Sequence, residues 1–261
     1  MPATQLADWA LSQGRVSLTT AEAAGLLGVP VNHVPQRLAA PRRRGEWLTP
    51  ASGLWVPVLA EYRMAPPVPA EQFVDAAMRH LGVGYYLGWL SAAALWGASH
   101  QAAMATQVAV SRRIRDRTVR GSRLVFRERS RLADVPVVRR ESRWAGFWVS
   151  TPEATALDVA DDVAFAGGLD NAVTVIAELA EEANLDMARV AALADLFPAA
   201  AVRRVGWAVE TFADGARGLD ELAAVAAGAS ASPSRLSPHH PDSGPLDQRW
   251  MLRLNADPDR E

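Results

Sequence analysis

Apolar and polar positions recur along this chain with two different periods, and the changes between them mark its elements. Residues 3–13 (ATQLADWALSQ) set Leu6, Trp9, Ala10 and Leu11 at helical spacing, and Gly14 ends the run. In the next apolar pattern Thr19 and Thr20 offer helix caps and Glu22 falls in the first turn. Ala23, Ala24, Leu26 and Leu27 form a small apolar side. Gly28-Val29-Pro30 stops that helix, since glycine permits a tight turn and proline cannot continue a helix. A third pattern turns Val31, Val34 and Leu38 inward and Asn32, His33, Gln36 and Arg37 outward. Pro35 suits that helix only in its first turn, and Pro41 ends it early. Around the turn Pro50-Ala51-Ser52-Gly53, residues 46–49 and 54–58 read as two short strands. Helix, glycine turn, helix and hairpin in that order predict a winged helix-turn-helix.

Beyond residue 60 the pattern changes. Residues 61–69 (EYRMAPPVP) read as a stiff extended linker, and a domain boundary is expected there. Helices follow at 70–81 and 88–96, the second apolar on most sides. Val- and Phe-rich alternation predicts strands at 106–111, 123–128, 135–140 and 146–150, with 112–121 as a charged loop. Thr151-Pro152-Glu153 opens a helix to about residue 161: Thr caps, Pro suits the first turn, and Glu favours the positive helix end. Further helices are expected near 170–183, 186–196, 200–212 and 219–227. Residues 228–247 are polar and rich in Pro and Ser, hence irregular; 249–255 reads as a last strand returning to the sheet. The expected fold class is therefore α+β. A winged helix-turn-helix domain (1–60) and a linker (61–69) precede an α+β domain (70–255) with a small, mostly antiparallel sheet and a helical bundle. Residues 256–261 form a frayed tail.

Composition changes the picture in two places. The net charge of -2 hides a local excess of twelve Arg over four acids in 101–150 and of fourteen acids over four Arg in 151–229. A basic and an acidic side are expected, and only the basic one suits a polyanion. The chain has no cysteine, which excludes disulfides, thiolate metal sites and a cysteine nucleophile. No stretch reads as a signal peptide or as a membrane span, so a cytoplasmic location is expected.

Candidate chemistry is sparse. His33, His80, His100, His239 and His240 form no zinc-type spacing, and no serine sits in a nucleophile elbow. Gly82-x-Gly84 follows a helix rather than a strand and reads as a turn. The cluster Asp158, Asp161 and Asp162 reads as a solvated helix end, with Asp158 the structural one, since it sits beside Leu157 and Val159 in an otherwise apolar helix. No catalytic residue, metal or cofactor is assigned, and an enzyme such as a nuclease or nucleotidyltransferase is the least favoured reading. Binding residues are clearer. Asn32, His33, Gln36 and Arg37 suit base edges, because Asn and Gln pair with adenine and Arg with guanine. Thr20, Arg42, Arg43, Arg44 and Ser52 suit phosphates. Arg112, Arg113, Arg115 and Arg117 form a basic surface for DNA, RNA, another phosphate or an acidic partner.

These pieces resemble the AbiEi-type antitoxins of bacterial abortive-infection systems, in their actinobacterial form. The likeness rests on the hairpin strand Gly53-Leu54-Trp55-Val56 and on 85–97 (YYLGWLSAAALWG). It extends over 150–158 (STPEATALD), Arg203-Arg204-Val205-Gly206-Trp207 and 249–255 (RWMLRLN). The resemblance implies a non-enzymatic, DNA-binding antitoxin that represses its own operon at inverted repeats in double-stranded promoter DNA. It implies a nucleotidyltransferase-like toxin as partner. The alternative is a stand-alone transcriptional regulator whose second domain binds a protein or senses a ligand in a pocket lined by Tyr85, Tyr86 and Trp89.

Overall fold

The computed structural model describes residues 1–64, 67–98, 104–214 and 217–259. His100, positions 65–66 of the expected linker and 260–261 of the expected tail lie outside them. The fold is α+β and divides into two units. The first comprises the described residues of 1–86, 104–132 and 139–148, and the second those of 87–103, 133–138 and 149–261.

The first unit opens with α1 (Leu6–Ser12), β1 (Leu18–Thr19) and α2 (Thr20–Leu27). Thr19 and Glu22 form a reciprocal capping box: the Thr19 hydroxyl accepts from the Glu22 N–H at 3.2 Å, and the Glu22 carboxylate accepts from the Thr19 N–H at 2.7 Å. That backbone bond is the main reason the Glu22 carboxyl is held below its ordinary range. Gly28 closes α2 in the left-handed conformation (φ 68°), which a side chain there would strain.

The helix expected from Val31 onward is broken into three pieces: a 3₁₀ turn Val31–His33, α3 (Val34–Arg37) and α4 (Ala39–Arg43). Pro35 sits in the first turn of α3, as its missing N–H requires. Pro41 does not end the segment. The break falls at Leu38, and Pro41 lies buried inside α4. Val31 is 54% exposed, contrary to the inward position expected, because the chain leaves Pro30 in a 3₁₀ turn and Val34 and Leu38 take the apolar seats. β2 (Trp47–Leu48) and β3 (Leu54–Pro57) form the hairpin, and β1 pairs on its far side in the order β1-β3-β2. Leu6, Ala10, Leu18, Ala23, Val34, Leu38, Trp47 and Trp55 make one core, with the two indoles edge to face at 6.4 Å.

The segment expected as an extended linker starts with a helical turn, α5 (Ala60–Arg63). Arg63 anchors it, donating to the Val58 carbonyl at 2.9 Å and pairing with Asp8 of α1 at 2.5 Å. The expected helix 70–81 divides into a 3₁₀ turn at Ala70–Gln72 and α6 (Val74–Leu81). β4 (Tyr85–Leu87) follows, then α7 (Trp89–Leu95), β5 (Thr106–Val110), β6 (Arg117–Val119), β7 (Ser122–Glu128), β8 (Val137–Glu141) and β9 (Gly146–Ser150). The sheet order is β6-β7-β5-β4-β9-β8. Within it β5–β7 and β4–β9 are parallel and β6–β7 antiparallel. The parallel pairing of β5 with β7 follows from β6, which lies inside the stretch expected as a loop. The chain reverses twice between β5 and β7, so those two neighbours run the same way.

In the second unit, Thr151 caps α8 (Pro152–Asp161), accepting from the Ala154 N–H at 3.4 Å. α9 (Leu169–Glu182), α10 (Met187–Ala192), α11 (Ala199–Phe212) and α12 (Leu219–Gly228) surround it. Leu157, Val159, Val173, Ile176, Val202, Val205 and Val209 fill the shared core. Residues 234–253 then add a separate small sheet. β10 (Ser234–Arg235) runs parallel to β12 (Leu252–Arg253), and β11 (Leu246–Asp247) runs antiparallel to it. The expected last strand therefore does not return to the large sheet, and 228–247 is not wholly irregular.

Two buried arginines hold that segment. Arg203, fully buried, donates to the carbonyls of Ala226, Ser230 and Ser232 at 3.1, 2.6 and 2.7 Å and to the Ser234 hydroxyl at 2.9 Å. Arg204 donates to the carbonyls of Leu236, Ala160 and Arg235 at 2.8, 2.8 and 2.9 Å. Burial pulls the Arg204 pKa down to about 10, which still leaves it protonated at neutral pH. Asn255 completes the clasp, accepting from the Ser237 N–H and donating to the carbonyls of Ser237, His240 and Pro241. No helix among the described residues is long and apolar enough to cross a membrane.

Candidate nucleic-acid interface

The segment from Val31 to Arg43 presents its polar residues because its apolar ones are occupied. Val34, Leu38 and Pro41 are buried, while Asn32, His33, Gln36, Arg37, Arg42 and Arg43 are exposed. None of these six side chains has a partner among the described residues. Ungripped donors and acceptors on a short helical segment can exchange water for base edges or phosphates at little cost. Arg44 differs: its Nε donates to Glu46 Oε1 at 2.6 Å.

Two residues expected at phosphates have other work. Thr20 is half-buried. Its hydroxyl donates to the Gly53 carbonyl at 3.2 Å and accepts from the Trp55 indole N–H at 3.1 Å, joining α2 to the hairpin. Ser52 is exposed at the hairpin turn, but its carbonyl accepts from His80 Nε2 at 2.9 Å. Beside it the Pro50 carbonyl accepts from Arg117 Nη1 at 2.8 Å, and Pro50 and Ala51 are buried. The turn is thus tied to α6 and β6 of its own unit. Sequence reasoning missed this restraint, since neither His80 nor Arg117 stands near the turn in sequence.

The basic strip divides in the same way. Arg117 lies 5.7 Å over the Phe126 ring while holding Pro50, and Arg112 donates to the Leu81 carbonyl at 2.8 Å. Arg113 and Arg115 are exposed and ungripped. The charge asymmetry follows the two units. The first holds nineteen Arg and nine acids, a formal +10, and the second eight Arg and twenty acids, a formal -12. Arg113, Arg115 and the segment 31–43 all belong to the positive unit.

The other candidates are structural. Tyr85, Tyr86 and Trp89 are at most 7% exposed, so the pocket expected at these rings is filled core. The Tyr85 hydroxyl donates to Asp75 Oδ1 at 3.1 Å. Burial first, and then the Asp75 carboxylate, push its pKa up beyond the ordinary range. Of the three aspartates Asp158 is fully buried, in keeping with its place between Leu157 and Val159, and Asp162 accepts from the Phe165 N–H at 3.0 Å. No three His, Cys, Asp or Glu side chains among the described residues gather as metal ligands.

Residues 86–211 match the family described as AbiEi antitoxin C-terminal domain. The fold is similar to that in the crystal structure of the RV2827C protein from Mycobacterium tuberculosis. That likeness has a TM-score of 0.66 at 17% identity and covers 96% of this chain and 90% of the other. No curated protein matches the chain.

Proposed function

Residues 86–211 make this chain a member of the AbiEi-type antitoxin family, and we propose that it is a DNA-binding antitoxin that represses its own operon. The antitoxin domain supports a role in a toxin–antitoxin pair. In our reading residues 1–60 form a winged helix-turn-helix that binds double-stranded promoter DNA at inverted repeats, in the cytoplasm. Residues 70–255 counter a nucleotidyltransferase-like toxin by binding, without catalysis.

One observation carries the DNA reading. Six ungripped polar side chains line one exposed segment in a unit of formal charge +10. The preceding helix is capped at Thr19 and closed at Gly28, which fixes how that segment enters. Asn32, His33, Gln36 and Arg37 then read bases, and exposed Val31 adds methyl groups suited to thymine. Arg42 and Arg43 contact phosphates. Arg44 and Ser52 contribute less than their positions suggest, because the protein already uses them, and Thr20 acts as a positioning residue. Arg113 and Arg115 add sequence-independent attraction.

Fluorescence anisotropy tests this, with duplex from upstream of the gene against a shuffled duplex across a salt series. Preference for the upstream duplex of about tenfold or more, surviving moderate salt, is expected. Equal and steeply salt-sensitive binding to both would overturn operator recognition. Two substitutions separate the roles. Arg37→Ala should cost about 1–3 kcal/mol and relax preference at one base position. Arg43→Ala should weaken all sequences alike and reduce the salt slope by roughly one unit. Unchanged preference removes Arg37 from the reading set, and an unchanged slope removes Arg43 from the phosphate set.

A further inference from the structure

A cavity of about 210 Å³ lies within the first unit, on residues that the DNA reading does not use. Its apolar wall comes from Leu11 at the end of α1, Val16, and Pro57 and Leu59 after β3. Gln72, from the 3₁₀ turn before α6, supplies one polar group. It is 92% buried, since its exposure is 8%, and its side-chain amide has no partner among the described residues. A side-chain amide with no protein partner beside open space can give its hydrogen bonds to a bound group in place of water.

Trp144 lies against the same cavity, with its indole N–H buried and unpartnered. The turn that carries it is preformed: the Ser142 hydroxyl accepts from the N–H groups of Trp144 and Ala145 at 3.3 and 3.1 Å. Gly14, Arg15 and Arg143 complete the lining. Arg15 is paired with Glu22, and Arg143, 74% exposed, is 3.3 Å from Glu61. Each guanidinium carries five N–H donors and no acceptor, so one carboxylate leaves others available. An exposed ion pair of that length is weak and can admit a second anion.

The cavity therefore offers donors from two arginines, one amide, and apolar walls. Its ligand must bring acceptors on a compact apolar body. An apolar cavity of about 150 Å³ takes benzene, so this volume suits a ring bearing a small head group. We propose that the cavity framed by Leu11, Val16, Pro57, Leu59, Gln72 and Trp144 binds a monocyclic aromatic carboxylate, its carboxylate toward Gln72 and Arg143. This goes beyond the DNA-binding reading and does not depend on it.

The test uses the full chain labelled with 5-fluorotryptophan. The Trp144 resonance in the ¹⁹F spectrum is the one lost in Trp144→Phe. Benzoate should shift it saturably in the low-millimolar range, and benzylamine, of the same shape and opposite charge, should not. Gln72→Leu should weaken benzoate binding about tenfold, the loss of one hydrogen bond to a charged group. Arg143→Gln, at an exposed position that does not endanger folding, should weaken it by a similar factor. No saturable shift with benzoate, an equal response to benzylamine, or wild-type binding in Arg143→Gln would each overturn the proposal.

Discussion

Arg203→Met should destabilise the second unit by about 4 kcal/mol, because four hydrogen bonds from one charged donor are lost, to the carbonyls of buried Ala226, half-buried Ser230 and exposed Ser232 and to the Ser234 hydroxyl, at roughly 1 kcal/mol each. Methionine keeps most of the apolar stem, so the loss reports the hydrogen bonds rather than a cavity. The carbonyls of Ala226, Ser230 and Ser232 sit where the chain leaves α12. No ladder serves them there. The guanidinium does, with planar donors directed at several acceptors at once. Arg203→Lys should recover only part of the loss, since an ammonium is a point charge on a flexible stem. At roughly 2–4 °C per kcal/mol for a unit of this size, the Met variant should melt about 8–16 °C lower. Limited proteolysis should cut it faster between 228 and 247, while the first unit keeps its DNA affinity. A melting temperature within about 2 °C of the wild type, a shift worth no more than 1 kcal/mol, would show that water replaces the arginine without penalty.

Such a residue is hard to read from sequence. An arginine is ordinarily a surface residue, and the partners of Arg203 are three backbone carbonyls and one hydroxyl 23–31 residues away, at and beyond the end of α12. What was legible had local causes. Thr19 and Glu22 announce a helix start, Gly28 its end, and Thr151-Pro152 the next start; the caps at Thr19, Gly28 and Thr151 sit at those residues. Strand β9 was legible to the residue, since alternation and a following cap delimit it. β4 was not, because Tyr85–Leu87 is buried throughout and presents no alternation. β6 was hidden by its charge: an edge strand of three residues, partly exposed, looks like the loop that contains it.

The candidate interface divides along the same line. Local spacing separated Asn32, His33, Gln36 and Arg37 from Val34 and Leu38, and the structure leaves those four exposed. Distant contacts decided the rest. Thr20 holds Trp55, thirty-five residues on, and Arg117 holds Pro50, sixty-seven residues back. Both looked like free polar groups in sequence because nothing nearby claims them. The Val31 misplacement has a different origin. A 3.6-residue period was applied across Pro30, where the chain takes a 3₁₀ turn with a period of three.

Gly206→Ala should destabilise the second unit, although alanine is the better helix former by about 1 kcal/mol. A Cβ at Gly206 would lie 2.0 Å from the ring of Trp250, well inside van der Waals contact. The ring has no room to yield. Trp250 is fully buried, its indole N–H donates to Glu210 at 2.5 Å, and its backbone N–H donates to Asp247 at 3.0 Å. Arg249 closes the other side, 5.7 Å over the ring and paired with Glu210 and Asp220 at 3.1 and 2.7 Å. Overpacking of this kind costs about 1–3 kcal/mol, and the central position of the clash favours the upper end. The net loss should then be roughly 2 kcal/mol after the helix gain. The decisive background is Trp250→Leu, which removes the clashing ring at its own cost of about 3 kcal/mol. There Gly206→Ala should turn neutral or stabilising, so that urea denaturation gives a coupling of about 2 kcal/mol or more between the two sites. Equal destabilisation by Gly206→Ala in both backgrounds would mean that backbone freedom, and not the packed indole, is what position 206 requires.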